Sequence, residues 1–531
     1  MRNSLAAAAV CVLLAGCASM SADAAFGGNP TPSAAMSSSG PASGRDGIYV
    51  GTADVAVNGG YSCRPMSITN FRVDGNVVRF GGFRGTIAAD GSVALTPFRN
   101  MWFAGRFDGP NFVGNVDATG MPPGYSIPAC SQSPRRGRPD EAAAKKRYLF
   151  LNERLQMLPG SFAAFLRSDL LSWRGKLSFF LERFRRRRTS QVDESIDAFA
   201  QRRAGKEVAE VMADALVTGI HAGDPALLSI NAAFPRLAAL EREYCSVLKG
   251  LRQTARRRRA EAAARGESYQ RPGTMWSLRQ GLRVLIETLC ARLRQPPIQG
   301  VSVRSVKPGP TPEAPGHWQI KGEGQDAWSA DAVVLACPAY QQAALLADLD
   351  AELARFIEGI AYNRVAVVAL GYRVTDIPGA LDGFGYIAPQ RTRRDVLGVQ
   401  WCSSIFPDRA PEGMCLLRAM CGGWHRAEVA GWEDARLIEA VRDDLRQALG
   451  IKATPVFHEI IRWDRAIPQY HLGHNDRVAC IEARTARHPG LFLGGNAYHG
   501  VALNDCTEQG ERLAAAVRDY LIDRRLRLRA R

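Results

Sequence analysis

Near its C-terminus the chain runs Pro489-Gly490-Leu491-Phe492-Leu493-Gly494-Gly495, an apolar stretch that stops at paired glycines. It reads as a short buried strand ending in a tight turn, and the residues from Asn504 onward read as a helix reaching about 526. A second stretch, Asp331-Ala332-Val333-Val334-Leu335-Ala336, ends near Pro338 and has the texture of a parallel-sheet strand covered on both faces. Together with the helical segments between and around them, these strands predict an α/β or α+β body. The loop Gly494-Gly495-Asn496-Ala497-Tyr498-His499-Gly500-Val501-Ala502-Leu503-Asn504 has a second property. Glycines let a flat ligand approach the backbone, and the helix start offers free N–H groups with partial positive charge. Ordinary loops share this pattern, so the segment alone leaves a plain turn open.

The rest of the body mixes both periods. Helical spacing runs over 166–184, 195–215, 235–250, 281–294, 351–359 and 434–449, and strand texture over 362–371 and 396–403. With 531 residues, 46% apolar and 23% charged, the chain has material for several folded domains and is not a mainly disordered one. Its 12 cysteines are too few and too scattered for a disulfide scaffold.

The N-terminal part is unlike the body. Arg2, an apolar run over 5–16 and then Cys17 read as an export signal over residues 1–20. Leu14-Ala15-Gly16-Cys17 resembles the bacterial lipoprotein signal, which implies a lipidated Cys17 and a cell-envelope location. Residues 21–45, rich in Ala, Ser, Pro and Gly, read as a flexible tether. Residues 46–133 alternate short strands with Asp74-Gly75, Asp90-Gly91 and Asp108-Gly109, the signals of hairpin turns. A small all-β domain is expected there, with Cys63 and Cys130 paired if the chain is exported. It shows no catalytic cluster, so binding or spacing is its expected role.

The net charge of +16 belongs almost wholly to residues 134–531. Arg185 to Arg188 and Arg256 to Arg259 form two runs, the first beside an amphipathic segment with Leu170, Leu171, Trp173, Leu177, Phe179, Phe180, Leu181 and Phe184. Such a stripe suits a solvated face or an acidic membrane surface. No nucleic-acid reader accompanies it, and no nucleic acid is expected as a partner. His221, His471 and His499 stand alone without metal-ligand spacing, so no metal is expected.

Several segments, taken in order, resemble the oxygen-dependent protoporphyrinogen oxidases of the monoamine-oxidase-like flavoprotein class. They are Arg147-Tyr148-Leu149-Phe150, Leu170-Leu171-Ser172-Trp173-Arg174-Gly175-Lys176-Leu177, Gly219-Ile220-His221-Ala222-Gly223-Asp224, Gly383-Phe384-Gly385-Tyr386, Phe406-Pro407-Asp408-Arg409-Ala410-Pro411 and the closing glycine loop. The resemblance spans about 143–527. It implies FAD as cofactor and the oxidation of protoporphyrinogen IX to protoporphyrin IX by O₂. On that likeness Arg147 clamps a propionate, Phe384 lines the pocket, and Cys337 and Pro338 border the ring cavity. Gly494, Gly495, Asn496, Val501 and Asn504 cradle the flavin, and Val303 meets the adenosine. No catalytic side chain is nominated, since the flavin accepts the electrons.

The likeness also implies a division of residues 134–531. A helical, membrane-facing part covers about 150–270, an FAD side 271–340 with 490–531, and a substrate-domain sheet 341–489. The departure is the absence of any Gly-x-Gly-x-x-Gly, the turn that seats a dinucleotide pyrophosphate. The flavoprotein body is therefore expected to be incomplete at its N-terminus, through rearrangement or a misplaced gene boundary, with impaired activity. The alternatives are a non-enzymatic cell-envelope lipoprotein and another amine-oxidase-like flavoenzyme. The flavoprotein part alone would suggest the cytoplasmic face of the inner membrane. Oligomeric state is not legible.

Overall fold

The structure is a computed structural model. It describes residues 141–529 apart from 191, 267–276, 279–280, 310–316 and 325, together with 136–137 and eight strand segments between 33 and 117. The signal at 1–20, Cys17, Cys63 and Cys130 lie outside the described residues.

The eight N-terminal strands form one antiparallel sheet, in which consecutive strands from Gly47–Ala53 to Asn111–Asp117 are neighbours. Part of the expected tether is not loose: Ser33–Met36 is a strand paired with Asn111–Asp117. Small residues without charge suit such a paired edge as well as they suit a linker. Arg79 on this sheet is ion-paired with Glu323 of the body, 3.1 Å away.

The body is organised around a seven-stranded sheet. Its order is Arg154–Met157, Tyr148–Leu151, Gly385–Ile387, Val396–Trp401, Met414–Gly422, Val365–Arg373 and Phe457–Trp463. Only Tyr148–Leu151 against Gly385–Ile387 is parallel. Val365–Arg373 lies between two partners and is buried from Val365 to Tyr372, which its unbroken apolar run requires. On one face Leu437, Val441 and Leu445 of helix Asp434–Leu449 pack on Val368, Leu370 and Leu417. That helix stops at Gly450, whose φ of 71° supplies the left-handed cap.

A helical lobe follows the first two strands. The periodicity over 166–184 is broken into Phe162–Arg167, Trp173–Leu181 and a 3-10 turn, because Ser172 caps the second helix by accepting from Gly175 N. That over 195–215 is broken at Gly205, where φ is 99°. Ile196–Ala204, a π turn at Ala209–Ala213 and Asp214–His221 result. The lobe is locked by a buried ion cluster. Arg203, 1% exposed, donates to Glu182, which also accepts from Ser246 Oγ at 2.6 Å and Val247 N at 2.9 Å. Thus one carboxylate neutralises an arginine and caps helix Val247–Ala264.

The third region holds the segments that opened the sequence reading. Val333–Leu335 and Leu491–Leu493 pair in parallel, Val333 opposite Leu491 and Leu335 opposite Leu493. An antiparallel meander, Val303–Pro308, Trp318–Gly322 and Ala327–Ala330, packs beside them. Helices Ala339–Leu346, Ala351–Glu358 and His474–Thr485 complete this core around Leu346, Leu353, Ile357 and Ile481. The final helix, Leu503–Arg529, runs past the pair. No helix among the described residues is long and apolar enough to cross a membrane.

Candidate active site

The two parallel strands end at the same level. Gly494 N donates to Leu335 O at 2.9 Å, one step beyond the register of the pair. Ala336-Cys337-Pro338 and Gly494-Gly495-Asn496 therefore leave side by side, at the carboxyl ends of parallel strands, where α/β folds bind ligands. Gln342, fully buried, ties the two loops together. Its Nε2 donates to Cys337 O at 2.6 Å and Gly494 O at 2.9 Å, and its Oε1 accepts from Tyr498 Oη at 2.7 Å. Pro338 caps the helix that carries Gln342. Gly495 has φ of 114°, and a Cβ there would meet nothing closer than Ala336 O at 3.5 Å. The backbone conformation, not crowding, demands the glycine.

The far side of this loop is equally fixed. Tyr470 Oη donates to Asn496 O at 2.6 Å and accepts from Gly500 N at 2.8 Å. Its ring stacks on His474 with centroids 4.1 Å apart. Burial pushes His474 down to about 4, so the ring is neutral near pH 7. Its Nε2 faces Tyr498 O at 3.1 Å, and a carbonyl only accepts, so Nε2 carries the proton. Burial also raises the Cys337 thiol, which keeps it protonated and unreactive.

Arg147 and Phe384 come together at a second place. The guanidinium carbon lies 4.8 Å from the ring centroid. Each residue immediately precedes one of the two parallel-paired strands, so pairing Tyr148 with Tyr386 brings them to one end. Phe384 is held by its backbone: its N donates to Lys146 O at 2.7 Å and its O accepts from Trp401 N at 3.0 Å. Neighbouring Gly383 has no room for a side chain, since a Cβ would be 2.7 Å from Tyr148 and 2.9 Å from Trp401. A cation on an aromatic platform offers both charge and apolar surface to a flat carboxylate.

Of the other expected site residues, Val501 packs with Ala222, Leu397 and Ile467, which joins the glycine loop to the sheet. Asn504 is exposed in the first turn of the last helix, where Asp505 accepts from Ala502 N at 3.2 Å. Val303 lies on an edge strand opposite Gly322 and is 39% exposed. Sequence reasoning missed Gln342, Tyr470 and Tyr498, which set the geometry of the loops.

His499 is paired with Glu482 at 3.0 Å, and no metal-binding cluster occurs among the described residues. The first arginine run is partly tied down. Arg185 donates to Ser178 Oγ at 2.7 Å and Arg202 O at 2.6 Å, and Arg188 pairs with Glu194 at 3.5 Å. Beside it Trp173, Leu177, Leu181 and Phe184 are exposed, Trp173 by 71%.

The sequence profile described as "Flavin containing amine oxidoreductase" matches residues 100–518. The chain belongs to this family, which makes FAD the cofactor to be accommodated. Among individual proteins it is similar to the human protoporphyrinogen oxidase, 33% identical over 394 residues that cover 72% of this chain and 80% of the relative. It is also similar to the coproporphyrinogen III oxidase of Bacillus subtilis, 27% identical over 366 residues, with 68% of this chain and 75% of the relative covered. A solved structure from Exiguobacterium, assigned as a protoporphyrinogen oxidase, superposes with a TM-score of 0.60 at 23% identity. It covers 72% of this chain and 81% of that one, and it shows the shared fold.

The residues present fit the ring end of FAD. Two loops tied together by one buried glutamine, with an unobstructed glycine at positive φ, offer backbone to a flat edge. The pyrophosphate end has no Gly-x-Gly-x-x-Gly in the sequence to match it.

Proposed function

We propose that this chain is an FAD-dependent porphyrinogen oxidase, with protoporphyrinogen IX as substrate and O₂ as oxidant. The observation that carries the reading is the side-by-side exit of Ala336-Cys337-Pro338 and Gly494-Gly495-Asn496, pinned by Gln342, in a chain of this family. Bound there, the flavin would accept electrons from the macrocycle. The protein's own work is placement. Arg147 binds a propionate, Phe384 supports a pyrrole edge, and Val501, Leu397 and Ile467 form an apolar wall that keeps water out. Tyr470 and Gln342 hold the loops so that no reorganisation is needed when the ring binds.

The exposed row Trp173, Leu177, Leu181 and Phe184, flanked by arginines, is read as a peripheral membrane contact. The N-terminal signal and Cys17 are read as a lipoprotein leader that brings the chain to the cell envelope.

The test is turnover of purified full-length protein, supplied with FAD, on protoporphyrinogen IX and coproporphyrinogen III, followed by porphyrin fluorescence. Formation of protoporphyrin with peroxide supports the reading. A preference for coproporphyrinogen III would replace the substrate, and failure with both substrates by protein carrying FAD would refute the reading. Without a glycine pyrophosphate turn, FAD is expected to be lost on desalting, so flavin absorbance is read before and after it.

A further inference from the structure

Asp214, Thr218 and His221 occupy positions i, i+4 and i+7 of helix Asp214–His221 and so share one face. All three are buried, at 5%, 4% and 1% exposure. Each presents one polar atom with no hydrogen-bond partner: Asp214 Oδ1, Thr218 Oγ1 and His221 Nδ1. Two more such atoms belong to residues beside the C-terminal end of the helix, Gln469 Oε1 and His471 Nε2. Gln469 directs its amide N–H groups to His221 O and Ile467 O, both at 3.0 Å. The π turn Ala209–Ala213 leads directly into this helix. Such a turn holds one extra residue, which rotates everything after it by about 100° relative to an unbroken helix.

Buried polar atoms without protein partners are normally satisfied by ordered water. Here they line a helix face about 10 Å long. We infer that a file of buried water follows Asp214, Thr218 and His221 and carries protons between the ring site and the outer side of the helical lobe. At the inner end the Tyr470 ring lies 6.0 Å from the His221 ring, and Tyr470 holds Asn496 and Gly500 of the glycine loop. At the other end Asp214 Oδ2 accepts from Gln390 N at 2.5 Å. Burial pushes Asp214 up to about 7, which suits a group that takes and returns a proton.

The inference rests on the proposed porphyrinogen oxidation, which releases a proton in one step and consumes one in another. In each cycle the substrate loses two electrons and two hydrogens. One hydrogen leaves with both electrons of its C–H bond, and the other leaves as a proton. O₂ receives that electron pair and, with one hydrogen and one proton, becomes H₂O₂. One proton is thus released when the substrate is oxidised and one is taken up when O₂ is reduced, and a relay beside the site can hold the first until the second step uses it.

The experiment pairs a high-resolution crystal structure with the kinetics of Thr218→Val and Asp214→Asn in the full chain. Waters within hydrogen-bonding distance of the three atoms are expected. Thr218→Val should remove the central water, lower kcat about tenfold with KM unchanged, and raise the solvent isotope effect on kcat. Asp214→Asn should do the same without any change of side-chain volume. A dry helix face in an enzyme with normal turnover would sink the file alone. Unchanged kcat and isotope effect in both variants would sink its proton role. Waters in a wild-type protein that oxidises no porphyrinogen would overturn the proton role and the activity together.

Discussion

The Arg147 guanidinium lies over the Phe384 ring at 4.8 Å, although the two residues are far apart in the chain. They meet because each stands just before one member of the body's single parallel pairing in the seven-stranded sheet. The pair is a charge set on an apolar plate, and the chemistry it suits is a flat macrocycle with carboxylates at its rim.

Arg147→Ala should raise KM for protoporphyrinogen roughly tenfold to a hundredfold and leave kcat nearly unchanged. A hydrogen bond to a charged group is worth about 1.5–3 kcal/mol, and the propionate is distant from the reacting carbons. Arg147→Lys should recover part of the loss, because the charge remains while the fork is lost. Steady-state porphyrin fluorescence separates the two constants.

Gly495→Ala should cost about 1–2 kcal/mol in stability, since an L side chain is strained at φ of 114°. It should also lower the flavin bound per chain. Thermal unfolding and the flavin-to-protein absorbance ratio measure the two effects. A variant that keeps full flavin content would place the ring elsewhere.

Glu182→Gln removes the nearer of the two carboxylates paired with buried Arg203, leaving only Glu241 at 3.4 Å, and weakens the cap on helix Val247–Ala264. The expected destabilisation is about 3–5 kcal/mol, read from urea unfolding. Replacing both partners, Glu182→Leu with Arg203→Met, should recover a good part of that loss, because the penalty comes from the poorly paired charge.

Asp214 binds its proton up to about pH 7 in the folded protein, against 3.8 for the free side chain, because burial disfavours the charge. Between those values the folded state holds more proton than the unfolded one. The Asp214 contribution to stability is therefore full below about pH 4 and is lost as pH rises toward 7. Asp224 and Asp197 add to the rise while Gln390 N and Arg391 oppose it. Asp214→Asn should flatten this part of the profile, which urea melts at pH 5 and pH 8 compare.

Trp173→Glu with Phe184→Glu should reduce co-sedimentation with anionic vesicles at least tenfold. Burying each aromatic side chain contributes about 1.5–3 kcal/mol, and both are exposed in the absence of a membrane. Solution turnover should be little affected.

Local pattern carried the sequence reading wherever an element is decided locally. The apolar period over 434–449 gives the observed helix to the residue, and the glycine-ended run at 489–495 gives the observed strand and turn. The reading over 166–184 overran because a serine cap, not a loss of periodicity, divides that stretch. Gln342 was illegible for a different reason: its partner Gly494 is 152 positions away, and nothing near Gln342 signals it. The π turn is hidden because Ala209-Glu210-Val211-Met212-Ala213 has ordinary helical preferences. Arg147 and Phe384 were reached only through likeness to a family, since neither has a local signature.

The long-range pairing has a consequence for how the molecule comes to exist. Tyr148 is bonded to Asp382 across 234 positions, and the last strand of the same sheet is Phe457–Trp463. During synthesis the helical lobe emerges with the first two strands already made and nothing to receive them. A ribosome stalled before the codons for 385–387 would hold Tyr148–Leu151 with one side open, a template for chaperones or for another nascent chain.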